Sequence, residues 1–157
     1  MKKRFSLGGL LATVAVVAAF VGGPAAGVAS AHSCTPGYFK NHLSVTNGLL
    51  TQAGYTSTTT LEDVFDVPDQ LGLDNVTIID ALSLQGGSTL SGKAEILFRA
   101  AASSLLNGIA EPNWPGPSTA NLITNVNFIL STLDKSRYTG YGSELDVLNN
   151  GGPCSLS

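Results

Sequence analysis

Cys34 and Cys154 are the only cysteines in the chain, 120 positions apart, and they sit close to the two ends of everything after residue 31. In an oxidising compartment such a pair reads as one bridge. Closing so long a loop stabilises a fold by about 4–5 kcal/mol through entropy removed from the unfolded chain, before any strain is subtracted. The bridge also demands a fold whose end returns to its beginning. Metal ligation by the pair is the alternative, but no Cys-x-x-Cys or neighbouring Cys/His set accompanies them.

The start of the chain supplies the compartment. Lys2, Lys3 and Arg4 are followed by an apolar run from Leu10 to Val21, then by small residues ending in Ala29-Ser30-Ala31. Positive start, short greasy core and small-x-small site together describe a cleavable secretory signal. The core is shorter than the ~20 apolar residues a membrane span requires, and Gly22, Gly23 and Pro24 break any helix there. A retained anchor is the alternative. Residues 1–31 are expected to be the signal peptide and 32–157 a single helical domain, beginning at His32 after cleavage.

Helical spacing then runs through the rest of the chain. Ala94, Leu97, Phe98, Ala101, Leu105 and Ile109 recur at three- and four-residue steps, which makes one apolar stripe with Ser91 as its expected cap. Pro112, Pro115 and Pro117 force an irregular connection around Trp114. Beyond it, Ser118 can cap a helix carrying Leu122, Ile123, Val126, Ile129, Leu130 and Leu133. Thr60 with Asp63 and Thr77 with Asp80 resemble capping boxes, and Gly86-Gly87 should stop the helix begun at Ile78. A first helix is expected over residues 38–53 and a last short one over 143–149, with Gly151-Gly152-Pro153 behind it. The fold class expected is all-α: a compact bundle of about five to six short helices, its termini joined by the disulfide.

Charge narrows the partners. Beyond residue 31 only five basic residues face eleven acids, a net charge of −6, and no Lys or Arg occurs between residues 41 and 92. Nucleic acid and anionic membrane are poor partners for such a surface, because binding to either depends on Lys and Arg.

The segment Cys34-Thr35-Pro36-Gly37-Tyr38-Phe39-Lys40-Asn41-His42 resembles the opening of a group of secreted, mostly bacterial proteins whose mature region begins Cys-Thr-x-Gly-Tyr-Trp-Lys-Asn-His. Similarity continues through Asp63-Val64-Phe65, Ile79-Asp80-Ala81-Leu82, Ser104-Leu105-Leu106-Asn107 and Leu145-Asp146-Val147-Leu148-Asn149-Asn150 before the final cysteine. It spans the chain beyond the signal. Phe39 stands where Trp is usual, and Pro153 precedes the last cysteine instead of following it. The resemblance implies a shared domain and brings no catalytic residues.

Candidate chemistry centres on Tyr38, Lys40, Asn41 and His42. On a helix Tyr38 and His42 share a face and can form a joint pocket. The competing view docks Tyr38 and Phe39 in the core, with Asn41 and His42 bonded to the C-terminal turn. His32 and His42 are the only histidines, and an N-terminal amine with two imidazoles would suit copper. Asp146, Asn149 and Asn150 offer oxygens to calcium, though helix capping is the plainer use. The run Gly87-Ser88-Thr89-Leu90-Ser91-Gly92-Lys93-Ala94 nearly spells a phosphate-binding loop, but Ala94 replaces the magnesium-binding hydroxyl and a helix precedes it. It is a helix start.

The expectation is a secreted, non-enzymatic structural or adhesion domain with no resident cofactor. Its partner would be an extracellular protein, a cell-surface polymer or another copy of itself. A small-ligand or metal-binding protein using the Tyr38–His42 face is the alternative. A hydrolase using Glu144 with Asp146, or Glu62 with Asp66, comes third.

Overall fold

The computed structural model describes residues 32–156, so the expected export segment lies outside the described residues. Among the described residues six α-helices follow one another: α1 Pro36–Asn41, α2 Leu43–Gln52, α3 Ile78–Ala81, α4 Leu90–Ala110, α5 Thr119–Ser131 and α6 Lys135–Asn149. One 3-10 turn, Asp69–Leu71, precedes α3. Among the described residues no strand forms; a lone antiparallel bridge joins Thr60 to Thr77. The all-α reading holds, and the Cys34–Cys154 disulfide joins the two ends.

The centre of the molecule is α4. Its apolar stripe is buried as the spacing predicts, but burial goes further: every residue from Ala100 to Asn107 is covered. A helix enclosed on all sides is a core helix, and α6, α5 and α2 pack around it. Each fully buried Leu or Phe here contributes about 1.5–3 kcal/mol of transfer free energy. Gly142 lets α6 approach closely: a Cβ there would sit 3.2 Å from the Leu97 Cα and 3.4 Å from the Leu97 amide nitrogen. Since the atoms it would meet are largely backbone, a larger side chain would force the two helices apart.

Several helix ends differ from expectation. The cap of α4 is Thr89, whose hydroxyl accepts from the Gly92 amide; Ser91 lies inside the helix and donates to the Leu71 carbonyl. The loop before it folds upon itself, because Gly87 N–H bonds Gly92 O and a Cβ on Gly92 would lie 2.6 Å from the Gly87 Cα. That close packing is the reason for the glycines that mimic a phosphate loop. The helix begun at Ile78 is a single turn, continued by looser turns to Leu84 instead of running to the glycines. Thr77 caps it as expected. Thr60 and Asp63 do make reciprocal capping bonds, yet only one turn, Leu61 to Phe65, follows.

The expected first helix is split at His42, where φ is −120° and ψ is 59°. Side chains compete there for helix carbonyls: Thr46 Oγ1 donates to Phe39 O at 2.8 Å, and His42 Nδ1 bonds Tyr38 O at the same distance. The break lets Phe39 enter the core while α2 sets off in a new direction. At the other end, α6 starts at Lys135, eight residues before Ser143, with Asp134 as its cap. Bonds from Ser136 hold the Asp134 carboxyl below its usual range. Ser118 caps α5 as predicted, but Leu133 lies beyond that helix, 42 % exposed and left-handed at φ 53°.

Tyr138 anchors α6 to α5 through a hydroxyl that donates to Leu130 O at 2.9 Å. Burial, with a smaller push from the Asp134 charge, raises its phenol. A folded-state value above the unfolded one contributes stability that is present below about pH 10 and is lost as pH rises through the folded value. Tyr138→Phe is therefore expected to give a protein about 1 kcal/mol less stable at neutral pH and with a shallower alkaline loss. Urea unfolding between pH 7 and pH 11 measures both; parallel pH profiles for the two proteins would contradict the assignment.

Candidate functional site

The two ends of the described chain meet over the C-terminal halves of α4 and α6, and polar side chains hold them there. Ser33 N–H donates to Pro153 O at 3.2 Å, and Gly152 N–H donates to Ser33 Oγ at 3.1 Å. Cys34 is fully buried. Its amide donates to Asn107 Oδ1 at 2.7 Å, and its carbonyl accepts from Asn107 Nδ2 at 2.8 Å and from Ser103 Oγ at 3.1 Å. One carboxamide thus grips both backbone groups of the bridged cysteine. Asn107 Nδ2 and Ser104 Oγ also donate to Asn149 Oδ1, and Asn149 Nδ2 donates to Ala100 O at 2.9 Å. Every amide group in this buried network is satisfied, the condition under which such networks rigidify a core. Buried Glu111 accepts from the amide and hydroxyl of Ser155.

Tyr38 and His42 come together as their spacing implies. Their rings stack with centroids 4.1 Å apart and planes 17° from parallel. The Tyr38 hydroxyl, not Asn41 or His42, bonds the C-terminal turn, donating to Leu156 O at 2.6 Å. Asn41 and His42 are exposed. His42 Nδ1 lies 2.8 Å from the Tyr38 carbonyl oxygen, which accepts. Phe39 occupies the core and meets Tyr38 edge-on at 5.6 Å.

Lys40 lies elsewhere, in a polar cleft of about 340 Å³. Gly37 and Lys40 of α1, Ser83 and Gln85 after α3, Arg99 of α4, and Asp146 and Asn150 at the end of α6 line it. Arg99 is held by two contacts, donating to Leu84 O at 3.0 Å and lying 4.0 Å from Asp146 Oδ2. A second cleft of about 400 Å³ opens between the proline-rich connection and α6, lined by Pro115, Pro117, Asn125, Tyr141 and Glu144.

The remaining candidates do not assemble. Asn149 is spent inside the network, Asn150 Nδ2 donates back to Asp146 O, and Asp146 faces Arg99, so the three do not offer a joint oxygen set to calcium. No group of three His, Cys, Asp or Glu side chains able to hold a metal gathers among the described residues. Glu144 and Asp146 line different clefts. Glu62 accepts from Val67 N–H, and Asp66 accepts from Asn127 Nδ2. Asn107 and Ser103 carry no motif that marks them as site residues; polar side chains at 103, 104 and 107 in an otherwise apolar helix are the available signal. Family models, curated proteins and solved structures were each compared with the chain, and none matches.

Proposed function

We propose that this chain is an exported, non-enzymatic structural or adhesion module that works at the cell surface or in the extracellular matrix. The observation that carries this reading is the closure of both ends by one disulfide and a fully paired polar network. Polar side chains of the N-terminal segment, Ser33 and Thr35, and of the helices beneath it, Asn107 and Asn149, are engaged in holding backbone. A module built in this way keeps its termini shut against exopeptidases, which suits a harsh exterior. Among the described residues no helix is long and apolar enough to cross a membrane, and the bridge accords with an oxidising compartment.

Expression of the full chain in an exporting bacterial host tests the reading. The product is expected outside the cytoplasm, oxidised, starting at His32, and sedimenting with cell-envelope polymer or with itself. A reduced chain retained with its first thirty-one residues would contradict export. An exported monomer that binds no surface polymer would contradict adhesion.

A further inference from the structure

The cleft on the α1–α4–α6 side has a charge unlike the rest of the protein. Against a net charge of −6 beyond residue 31, its lining brings together two cations, Lys40 and Arg99, and one carboxylate, Asp146. The balance is one excess positive charge. Arg99 is already oriented: its contacts to Leu84 O and Asp146 use part of its fork, and a guanidinium has five N–H donors to distribute. Lys40 is exposed at the cleft, and its ammonium forms no ion pair among the described residues. Around the charges stand neutral groups that both donate and accept, Ser83, Gln85 and Asn150. The volume falls at the lower end of the range of about 300–1,000 Å³ found for small-molecule sites.

The geometry points to a binding site for a hydroxylated monocarboxylate, a sugar acid being the fitting class. Its carboxylate would lie between Lys40 and Arg99, and its hydroxyls would bond Asp146, Asn150, Ser83 and Gln85. One excess positive charge matches a monoanion; a phosphate dianion would bring a second negative charge against Asp146. The mainly polar lining suits a hydroxylated ligand over an acyl chain. The site does not depend on the adhesive role, since a monomeric acid would occupy it in a protein that adheres to nothing.

The test is NMR titration of the oxidised full-length chain with glucuronate, with a short uronate oligomer, with methyl glucoside and with inorganic phosphate. Amide shifts at Gly37, Ser83 and Asn150 are expected with the uronates and not with the glucoside. Shifts from glucuronate and oligomer alike support a site for the single unit; shifts from the oligomer alone support the same chemistry presented by a polymer. Lys40→Gln should weaken uronate binding about tenfold, and Lys40→Arg should restore most of it. The exposed position of Lys40 makes misfolding no explanation, and unchanged shifts elsewhere in the spectrum check that. No shift with either uronate, tighter binding of phosphate, or equal affinity in Lys40→Gln would overturn the inference.

Discussion

Replacing Cys34 and Cys154 together by alanine is expected to lower stability by about 4–5 kcal/mol, the loop-closure contribution of a bridge spanning 120 residues. A domain of this size holds only about 5–15 kcal/mol in total. The loss is therefore a large fraction of everything that keeps the chain folded. In calorimetry it should appear as a fall in Tm of roughly 15–25 °C. Treating the unaltered protein with reductant should give a fall of similar size. The helices themselves should survive below the transition, because α4 and its neighbours bury their apolar faces without help from the bridge. A Tm within about 3 °C of the parent would mean that the non-covalent contacts alone close the ends.

Asn107→Ala is the second large effect. The side chain sits in a fully buried site and makes three hydrogen bonds. Its removal leaves the Cys34 amide without its partner, while the Cys34 carbonyl keeps Ser103 and Asn149 Oδ1 keeps Ser104. One orphaned buried donor costs about 1–3 kcal/mol, and the two weakened acceptors and the small void raise the expected loss to about 3–4 kcal/mol. Asn107→Asp separates shape from chemistry. It can still accept from the Cys34 amide, but an ionised carboxylate cannot donate, and its second oxygen would face the Cys34 carbonyl and Asn149 Oδ1. It should be at least as damaging at neutral pH. Urea unfolding of both variants decides the matter, and a loss under about 1 kcal/mol in either would remove Asn107 from the centre of the account.

Both effects loosen the hold on Cys34, by its disulfide and by its backbone bonds to Asn107, and much of the reason is legible in the sequence. The cysteine pair predicted that the ends must meet. The stripe from Ala94 to Ile109 predicted a long apolar helix, and Ser118 predicted where α5 begins. What spacing could not reveal was that α4 is enclosed on every side from Ala100 to Asn107, so that Ser103, Ser104 and Asn107 would be buried and would have to find partners. The partners come from the other side of the sequence, at Cys34 and Asn149, and no local pattern links them. The break at His42 was hidden for a similar reason. Helical spacing from Tyr38 onward is intact, and the kink depends on the Thr46 hydroxyl reaching the Phe39 carbonyl. Gly140 and Gly142 weaken the helical signal N-terminal to Ser143, yet α6 runs through both, and at Gly142 it packs tightly on α4.

The same physics explains where the candidate residues went. Tyr38 and Phe39 are turned to structure, one through its hydroxyl and one through its ring. A helix places Lys40 on a different side from Tyr38 and His42, so the sequence cluster divides between a stacked aromatic face and a polar cleft. That Lys40 and Arg99 line one cleft could not be read locally, because it follows from the packing of α1 on α4.

Native-state hydrogen exchange at the Cys34 amide tests the central claim most directly. Chain termini ordinarily fray and exchange fast. If the ends are locked into the core by Asn107 and the bridge, the Cys34 amide of the oxidised protein should exchange as slowly as the amides of Ala101 and Leu105 in α4, through global unfolding alone. Exchange orders of magnitude faster than those core amides, with the disulfide intact, would show that the ends are tethered but not clasped and would contradict the account.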